Sequence, residues 1–343
     1  MPYTVTTQSV TAGGKTDTAY TLADTAGTVR AEVWPAFGFN CLRWQVRRAD
    51  GSWGDVLYCD PAWEQNPVPT RSGHPILFPF PNRLRHGRFT FDGREYQLPL
   101  NDSTGTHAIH GFTPRNPWRV VGAGGARDHA FVTGQFQLSV DLPSALAHWP
   151  ADFVFTVTYQ LRGDGLNVEL LVENPDTKPL PFGVGFHPYF ACPNAANATA
   201  DEMVLRAPTS EVWEAEANLP TGRRLAVPQE LDFRQPRSLA GVNLDTLYAA
   251  GEGGWQATLG HTSTEGLLTV SAPAEFRELL LFTPPHRKAV AVEPYTCATN
   301  AANLPDAGWR VLPPGGEFAV AVTYSWRPSG RLTPAVASAG IAN

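Results

Sequence analysis

The 343-residue chain is poor in charged residues and in cysteine, and each scarcity excludes a class of protein. Charged side chains make up only 17% of the sequence against 43% hydrophobic residues, which is the composition of a folded protein rather than of a disordered one. No apolar run approaches the roughly 18 residues of a membrane-spanning helix, so we expect no membrane partner. The four cysteines are scattered and form no C-x-x-C pair, so nothing supports a zinc site.

Basic charge is also scarce, which bears on partners and location. The net charge is −6, whereas proteins that bind nucleic acid usually present a basic face, so we expect no nucleic-acid partner. The first ten residues, MPYTVTTQSV, lack a charged stretch followed by an apolar one, and we expect no signal peptide. We therefore predict a cytoplasmic protein with free thiols.

Several well-known catalytic signatures are missing. The sequence contains no G-x-x-x-x-G-K-[ST], no G-x-S-x-G, no H-E-x-x-H, and no G-x-G-x-x-G between a strand and a helix. These absences argue against a P-loop nucleotide site, a serine acyl-transfer site, a zincin metal site and a dinucleotide site. We predict no cofactor and no metal.

What the sequence does contain is alternation with a period of two. Residues 88–100 alternate and turn at Asp92-Gly93, which predicts a hairpin. Residues 153–161 and 166–174, joined by RGDG, predict a second hairpin, and residues 318–326 predict a further strand. The only plausible helix is a short one near 143–149.

Many short strands with turns rich in Gly and Pro, 31 of each, predict an all-β fold. We expect a large antiparallel β-sandwich. No linker or internal repeat divides the chain, so residues 1–326 are predicted to form one catalytic domain. Residues 327–343 are small and polar, with prolines, and are predicted to form a flexible C-terminal tail.

Two polar segments interrupt apolar sequence in the first half of the chain. Asn82 and Arg83 end an apolar run, and an Arg there can donate several hydrogen bonds to neutral oxygens at any pH. A basic surface loop is the favoured alternative on composition alone. His107 and His110 are three residues apart, so on a strand they face opposite sides and are not expected to share a metal. One of them could point into a cleft, although ordinary burial or exposure is favoured.

Three further polar residues lie in the second half. His187 is surrounded by aromatic residues, and this desolvation lowers the pKa of an imidazole; a core histidine bonded to backbone is an equally open alternative. Glu293 is expected to end a strand of small apolar residues, where burial would raise its pKa and make it a better base. For Asp245 a turn or capping role is favoured.

Together these residues suit one kind of chemistry. Two histidines, a glutamate, an aspartate and an arginine on an all-β frame can transfer protons and recognise hydroxyl groups without a cofactor. Clefts lined by Trp, Phe and Tyr suit sugars, because the C–H faces of the ring pack on aromatic side chains while hydroxyls bind polar groups.

Five motifs, in order, resemble those of the aldose 1-epimerase, or galactose mutarotase, family. They span about residues 75–305, and with the flanking strands the resemblance covers nearly the whole chain except the tail. The motifs are N-R followed by G-R-F-x-x-D-G-x-x-Y-x-L (82–98), H-G-F with P-W (110–118), G-F-H-P-Y-F (185–190), L-D (244–245) and V-E-P-Y-T (292–296).

The resemblance implies a galactose mutarotase-like supersandwich whose concave face binds a monosaccharide. The implied reaction interconverts the α and β anomers of a free aldohexose such as glucose or galactose, with no cofactor. By motif, Glu293 matches the general base that takes the proton of the C1 hydroxyl, and His187 matches the general acid that protonates the ring oxygen. His110 matches a second histidine that assists at the ring oxygen or holds a nearby hydroxyl.

Substrate binding is implied for Arg83 and Asp245, accompanied by Asn82. The sequence departs from better-known members of the family: a binding glutamine ahead of the glutamate is not evident, and HGFTPRNPW replaces the usual H-G-G pattern. The preferred sugar, the participation of other residues, and the choice between a monomer and a homodimer therefore stay open. The residues whose participation is open are His86, His107, Arg115 and Tyr189.

Two other functions compete with this prediction. A hexose-6-phosphate 1-epimerase could clamp phosphate with one of several arginines, although the carboxylate of Asp245 argues against it. A non-catalytic carbohydrate-binding sandwich would have no need for both His187 and Glu293. The candidate phosphate-binding arginines are Arg83, Arg85, Arg88 and Arg115.

Overall fold

The computed structural model describes residues 2–163, 165–195, 197–251 and 253–335. Within these residues the chain forms 28 β-strands. The strands are β1 Tyr3–Ala12, β2 Lys15–Asp24, β3 Val29–Trp34, β4 Asn40–Arg47, β5 Trp53–Asp55, β6 Ile76–Leu77, β7 Arg83–Leu84, β8 Arg88–Phe91, β9 Arg94–Gln97, β10 Ala108–Ile109, β11 Arg119–Gly125, β12 Ala130–Gln137, β13 Val154–Arg162, β14 Gly165–Glu173, β15 Leu180–Phe182, β16 Gly185–Phe186, β17 Tyr189–Phe190, β18 Met203–Arg206, β19 Glu211–Glu216, β20 Leu219–Ala226, β21 Arg237–Ser238, β22 Asp245–Ala249, β23 Trp255–His261, β24 Leu267–Ala272, β25 Glu278–Phe282, β26 Val290–Tyr295, β27 Arg310–Leu312 and β28 Glu317–Arg327.

Helical structure is limited to short turns. The single α-helical turn in the described ranges, α1, covers Leu138–Asp141. A 3-10 turn at Pro143–Ala147 follows it, close to where the sequence predicts a short helix. No helix in this part of the chain is both long enough and apolar enough to cross a membrane. The other 3-10 turns are Pro35–Phe37, Arg85–Gly87, Thr113–Arg115, Ala200–Glu202, Gln229–Leu231 and Ala301–Asn303.

Two large sheets build the body of the molecule. The nine-stranded sheet has the order β11-β12-β13-β14-β28-β24-β23-β18-β21, and the eight-stranded sheet has the order β20-β19-β22-β25-β26-β16-β6, with β17 also paired to β26. All of these pairings are antiparallel. The prediction of an all-β antiparallel sandwich is confirmed.

Smaller sheets complete the fold. Strands β1 to β5 form a five-stranded sheet in chain order, and three two-stranded sheets pair β7 with β10, β8 with β9, and β15 with β27. Side chains of β13 and β14 alternate between buried and partly exposed positions, since successive residues of a strand point to opposite faces. The apolar alternation in the sequence therefore places one face of the nine-stranded sheet in the core.

The main core lies between the two large sheets and is rich in aromatic residues. It includes Val168 and Val322 of the nine-stranded sheet and Leu281 and Val292 of the eight-stranded sheet. Aromatic rings connect strands that are distant in sequence: the ring centroid of Phe78 is 4.3 Å from that of Phe155. Offset and edge contacts of this kind add to the free energy of burial.

The predicted hairpins are confirmed, and part of the tail can be located. β8 and β9 turn at Asp92-Gly93, and β13 pairs with β14 along its whole length. After β28, the backbone oxygen of Gly330 accepts a hydrogen bond of 2.9 Å from Gly266, and the N–H of Ala335 donates one of 2.7 Å to Pro236. Residues 336–343 of the predicted tail lie outside the described residues, and its flexibility stays a prediction.

Candidate active site

All six residues singled out as site residues line one cleft, with a volume of about 640 Å³. The strands that supply them come from widely separated parts of the chain, so the cleft is a product of the tertiary fold. Arg115 and Tyr189, whose participation the sequence left open, also line it, whereas His86 and His107 are not among its lining residues. The six are Asn82, Arg83, His110, His187, Asp245 and Glu293.

Glu293 reaches the cleft because of its position in β26. Every residue of this strand is buried, with Val290 and Val292 in the main core. Alternation therefore turns Glu293 and Tyr295 to the opposite face, toward the cleft. The expectation that Glu293 ends the strand is wrong: pairing with β25 continues to Tyr295, so the carboxylate lies inside a central strand rather than at its frayed end.

The register of the eight-stranded sheet brings Asp245 to the same face. Glu293 lies opposite Leu280 of β25, and Asp245, the first residue of β22, lies opposite Phe282 of β25. Residues directly opposite each other share a face, as do residues two apart on one strand. Asp245 and Glu293 therefore project on one side of the sheet from strands separated by β25.

His187 lies between β16 and β17 and faces Glu293. Its backbone N–H donates a 3.0 Å hydrogen bond to the carbonyl of Pro75. Its Nε2 is 3.3 Å from Oε1 of Glu293, and both side chains are almost entirely buried. Oε1 itself has no hydrogen-bond partner in the described structure, because the approach of Nε2 lacks hydrogen-bond geometry. The carboxylate and the imidazole are thus neighbours on one side of the sheet.

Burial shifts the pKa values of this pair in opposite directions. Desolvation lowers the pKa of His187 to about 3. Desolvation also raises the pKa of Glu293 well above its usual value, against the hydrogen bond from Tyr295, while the charge of Asp245 raises it further. A higher pKa makes the carboxylate a stronger base, and a lower pKa makes the imidazolium a stronger acid. Both shifts favour proton transfer to and from a substrate.

Tyr189 orients the ring of His187. The two rings stack with centroids 4.5 Å apart, and the Tyr189 hydroxyl donates a 2.8 Å hydrogen bond to the carbonyl of Thr70. That bond uses the one hydroxyl proton, so the 3.2 Å contact between this hydroxyl and Nε2 of His187 requires the proton to be on Nε2. His187 therefore carries its proton on the nitrogen that faces Glu293.

Tyr295 is a site residue that the sequence reasoning missed. Its buried hydroxyl donates a hydrogen bond to Oε2 of Glu293. The contact fixes one carboxylate oxygen and leaves Oε1 free. A signal was available: two residues after Glu293 in a strand, Tyr295 had to project from the same face.

His110 follows β10 and stands beside His187. The two rings meet edge to face with centroids 5.7 Å apart. Nδ1 of His110 accepts a 3.2 Å hydrogen bond from the backbone N–H of Asn82, which places the proton of the neutral ring on Nε2. Burial, together with the charges of His187, Arg115 and Arg83, lowers the pKa of His110 well below its usual value and keeps it a neutral hydrogen-bond donor.

The backbone at His110 is held in an unusual conformation. His110 has a φ of 66°, in the left-handed region that costs a non-glycine residue free energy, and such strain is often found at functional sites. Gly111 follows it, and a Cβ there would lie 2.1 Å from the carbonyl oxygen of Phe78. Only glycine permits this close approach, so the H-G pair is required by packing.

Arg83 and Asp245 supply groups of opposite charge to the cleft. Oδ1 of Asn82 accepts hydrogen bonds from the backbone of Arg83 at 2.8 Å and from its guanidinium at 3.2 Å, which orients the arginine. Protein atoms around the Asp245 carboxylate raise its pKa, while Arg83 acts to lower it. Solvent nevertheless reaches Asp245 through the cleft, so this carboxylate is accessible to a ligand.

Other residues of the cleft carried no sequence signal. Arg71 and His286 lie in irregular segments, and His286 stacks on Tyr58 with ring centroids 4.8 Å apart. Phe282 is an ordinary apolar residue of β25 whose ring meets that of His187 edge to face at 6.0 Å. Nothing in their sequence context distinguishes them from loop or core residues.

A larger groove, of about 920 Å³, lies elsewhere, with lining residues from β23, β24 and β28 such as Gln256, Ser271 and Thr323. Its lining contains no histidine and no carboxylate, so it lacks the groups that acid–base chemistry needs. The smaller cleft is therefore the candidate active site. Across the described ranges, no three His, Cys, Asp or Glu side chains are grouped as a metal site would require.

Comparisons with known proteins agree with the resemblance. Residues 27–327 match the family model described as aldose 1-epimerase. The chain is 28% identical to YihR of Escherichia coli K12 over 66% of this chain and 71% of that protein, and 27% identical to YphB of the same organism over 78% and 86%.

Solved structures share the fold at low sequence identity. A galactose mutarotase-like protein from Clostridium acetobutylicum superposes with a TM-score of 0.83 at 20% identity, over 95% of this chain and 99% of that one. Galactose 1-epimerase from Lactobacillus acidophilus NCFM gives a TM-score of 0.73 at 18% identity, over 95% and 100%. With the family model matching most of its length, the chain belongs to the aldose 1-epimerase family.

Proposed function

We propose that this protein interconverts the α and β anomers of a free aldohexose of the glucose or galactose type. The observation that carries the proposal is the pair formed by Glu293 and His187, with Oε1 and Nε2 3.3 Å apart in a sugar-sized cleft. In a pyranose, O1 and the ring oxygen O5 are bonded to the same carbon. A base at O1 and an acid at O5 must therefore be neighbours, as these two groups are.

In the proposed reaction, Oε1 of Glu293 removes the proton from the C1 hydroxyl. The C1–O1 double bond forms as the C1–O5 bond breaks, and the electron pair left on O5 takes a proton from Nε2 of His187. Rotation about C1–C2 presents the other face of the aldehyde, and ring closure reverses both proton transfers. The intermediate is neutral, and each positioned acid or base contributes roughly 10²–10⁴-fold to the rate.

The other cleft residues suit sugar binding. Arg83 is a donor only and Asp245, when ionised, is an acceptor only, so together they can bind hydroxyls in one defined orientation. Nε2 of His110 carries a proton that no partner in the described structure takes, and beside His187 it can donate to the ring oxygen or to an adjacent hydroxyl. Phe282 offers an aromatic surface for the ring C–H groups.

Polarimetry of freshly dissolved α-glucose and α-galactose tests the proposal. We expect wild-type protein to accelerate the approach to anomeric equilibrium. The His187→Asn variant should lower kcat by about 10²-fold or more while sugar affinity, measured by calorimetry, changes little. Sugar binding with an unaltered rate of mutarotation would contradict the proposal and leave a carbohydrate-binding protein.

A hexose 6-phosphate is the second candidate substrate class. Arg71, Arg83 and Arg115 all line the cleft, and none of them forms an ion pair with an acidic side chain of the described residues. Guanidinium groups without a carboxylate partner can bind a phosphate. The repulsion that Asp245 would exert on a phosphate favours the neutral sugar. Rates on glucose and glucose 6-phosphate decide the order, and a strong preference for the phosphorylated sugar would reverse it.

A further inference from the structure

We propose that Asn40 and His74, two buried residues outside the cleft, form a positioning network that holds His187 in its reactive orientation. Neither side chain lines the cleft, and both are almost completely buried. The inference rests on the proposed function for its kinetic consequences. Its structural claim concerns the ring of His187 and can be tested without any activity.

His74 links the two large sheets. Its Nδ1 lies 3.0 Å from the hydroxyl of Tyr159 on β13, and its Nε2 lies 2.9 Å from the hydroxyl of Tyr324 on β28. The Tyr159 hydroxyl also donates a 3.1 Å hydrogen bond to the backbone carbonyl of His74. With a proton on Nδ1 and Tyr324 donating to Nε2, every polar atom of a neutral ring has a partner.

That neutral state is stable over the physiological pH range. Complete burial lowers the pKa of His74 to about 3. His74 therefore acts as a permanent hydrogen-bonding clamp rather than as a titrating group. A phenylalanine of similar size would fill the same space without needing hydroxyl partners, so packing alone does not explain a histidine here.

Asn40 holds the same segment from its other side. Its Oδ1 accepts a 2.7 Å hydrogen bond from the backbone N–H of His74. Its Nδ2 donates to the carbonyls of Pro69 at 3.0 Å and of Ser72 at 2.9 Å. One amide thus fixes three points of the segment 69–74, which has almost no regular secondary structure of its own.

This segment makes the contacts that orient His187. The carbonyl of Pro75 accepts the backbone N–H of His187 at 3.0 Å, and the carbonyl of Gly73 accepts that of Tyr189 at 2.9 Å. The carbonyl of Thr70 accepts the Tyr189 hydroxyl, which determines that the proton of His187 is on Nε2. The path from the nine-stranded sheet to His187 therefore runs through side chains and carbonyls with defined partners at each step.

The consequence is specific to His187. Without Asn40, the carbonyl of Thr70 is no longer fixed, and the Tyr189 hydroxyl is free to donate to Nε2 of His187 instead. That change would move the imidazole proton to Nδ1, away from Glu293. Misplacing a reacting group by about 1 Å can lower a rate by roughly 10²-fold.

The test compares Asn40→Ala with Asn174→Ala in the full-length protein. Asn174 is a matched control, since it is equally buried and its Nδ2 also donates to backbone carbonyls, those of Lys178, Leu312 and Pro313, none of which lines the cleft. Tyr324→Phe serves as a milder variant that removes only one hydroxyl from His74. The readouts are the thermal midpoint, kcat and KM by polarimetry, and the ¹⁵N chemical shifts of His187, assigned by their loss in His187→Asn.

We expect both asparagine variants to lower the thermal midpoint. Only Asn40→Ala should shift the ¹⁵N signals of His187 toward the Nδ1–H tautomer and lower kcat about 10–100-fold, with KM changed less than about threefold. Tyr324→Phe should give the same signs at smaller size. Unchanged His187 signals in a folded Asn40→Ala or Tyr324→Phe protein would overturn the positioning role. Wild-type protein without activity would instead contradict the proposed function, and the ¹⁵N comparison would still decide the inference.

Discussion

Two glutamates of the eight-stranded sheet, Glu293 and Glu278, have very similar surroundings and different neighbours. Both are completely buried, and each has one oxygen without a hydrogen-bond partner in the described structure. In each case the second oxygen accepts from an aromatic side chain: Tyr295 for Glu293, and Trp213 at 2.7 Å for Glu278. Burial raises the pKa of both, that of Glu278 to about 7.

The difference between them is what lies beside the free oxygen. For Glu293 it is the imidazole of His187 and the open cleft, whereas for Glu278 it is the guanidinium of Arg277, 3.9 Å away, and no cleft. A buried carboxylate with a raised pKa is therefore not sufficient evidence of catalysis. Access to a ligand and an adjacent acid separate the candidate base from a structural carboxylate.

The largest expected difference is in activity after neutralising each carboxylate. Glu293→Gln should lower kcat by about 10²-fold or more because the base at O1 is lost, whereas Glu278→Gln should change kcat less than about threefold. Both are measured by polarimetry with KM determined in parallel. A comparable loss in Glu278→Gln would break the comparison and bring Glu278 into the reaction.

The next effect is the pH dependence of kcat/KM. The reactive form needs Glu293 ionised and His187 protonated, so the rate should fall about tenfold per pH unit once both groups are protonated at low pH or both are deprotonated at high pH. Because burial lowers the pKa of His187 and raises that of Glu293, the limbs should lie apart, with a plateau around neutrality. A profile that stays flat between about pH 4 and 9 would contradict the pair.

Removing the aromatic donors should give a smaller, asymmetric effect. Tyr295→Phe frees Oε2 of Glu293, which should rotate the carboxylate and lower kcat roughly tenfold. Trp213→Phe removes the corresponding donor from Glu278 and should leave kcat within about twofold. Sugar affinity and thermal midpoints, measured alongside, separate a local effect from unfolding, and equal losses of kcat in both variants would count against the role of Tyr295.

The smallest expected effect is on stability. The folded-state pKa of Glu278, about 7, is above the usual value of about 4.3 for an unfolded chain. The folded protein therefore binds more protons than the unfolded chain between these values, and stability falls as pH rises through this window. Glu278→Gln should raise the thermal midpoint relative to wild type by more at pH 8 than at pH 5, and a difference that is equal at both pH values would refute the burial argument.

Much of the fold follows from local patterns. The alternation around Asp92-Gly93 predicts the hairpin of β8 and β9 because turn residues and strand alternation act over a few positions. The end of the strand at Glu293 was wrongly placed because the extent of β26 depends on its partner β25, which lies earlier in the chain and carries no local signal.

The candidate site was predictable to a different degree. The motifs that resemble the family identified the six residues that line the cleft, while Tyr295 required only the alternation of a strand that the sequence already indicated. Arg71 and His286 could not be found this way, since they lie in irregular segments whose position is determined by distant parts of the chain.

The sequence by itself determined the class of fold, the hairpins and the residue types available for acid–base chemistry, because these depend on composition and on spacing over a few residues. Only the tertiary structure decided that Glu293 meets His187 while Glu278 does not. It also decided that Asn40 and His74 lie behind His187. The register between strands, the burial of each carboxylate and the pairing of polar atoms all arise from contacts between residues far apart in sequence.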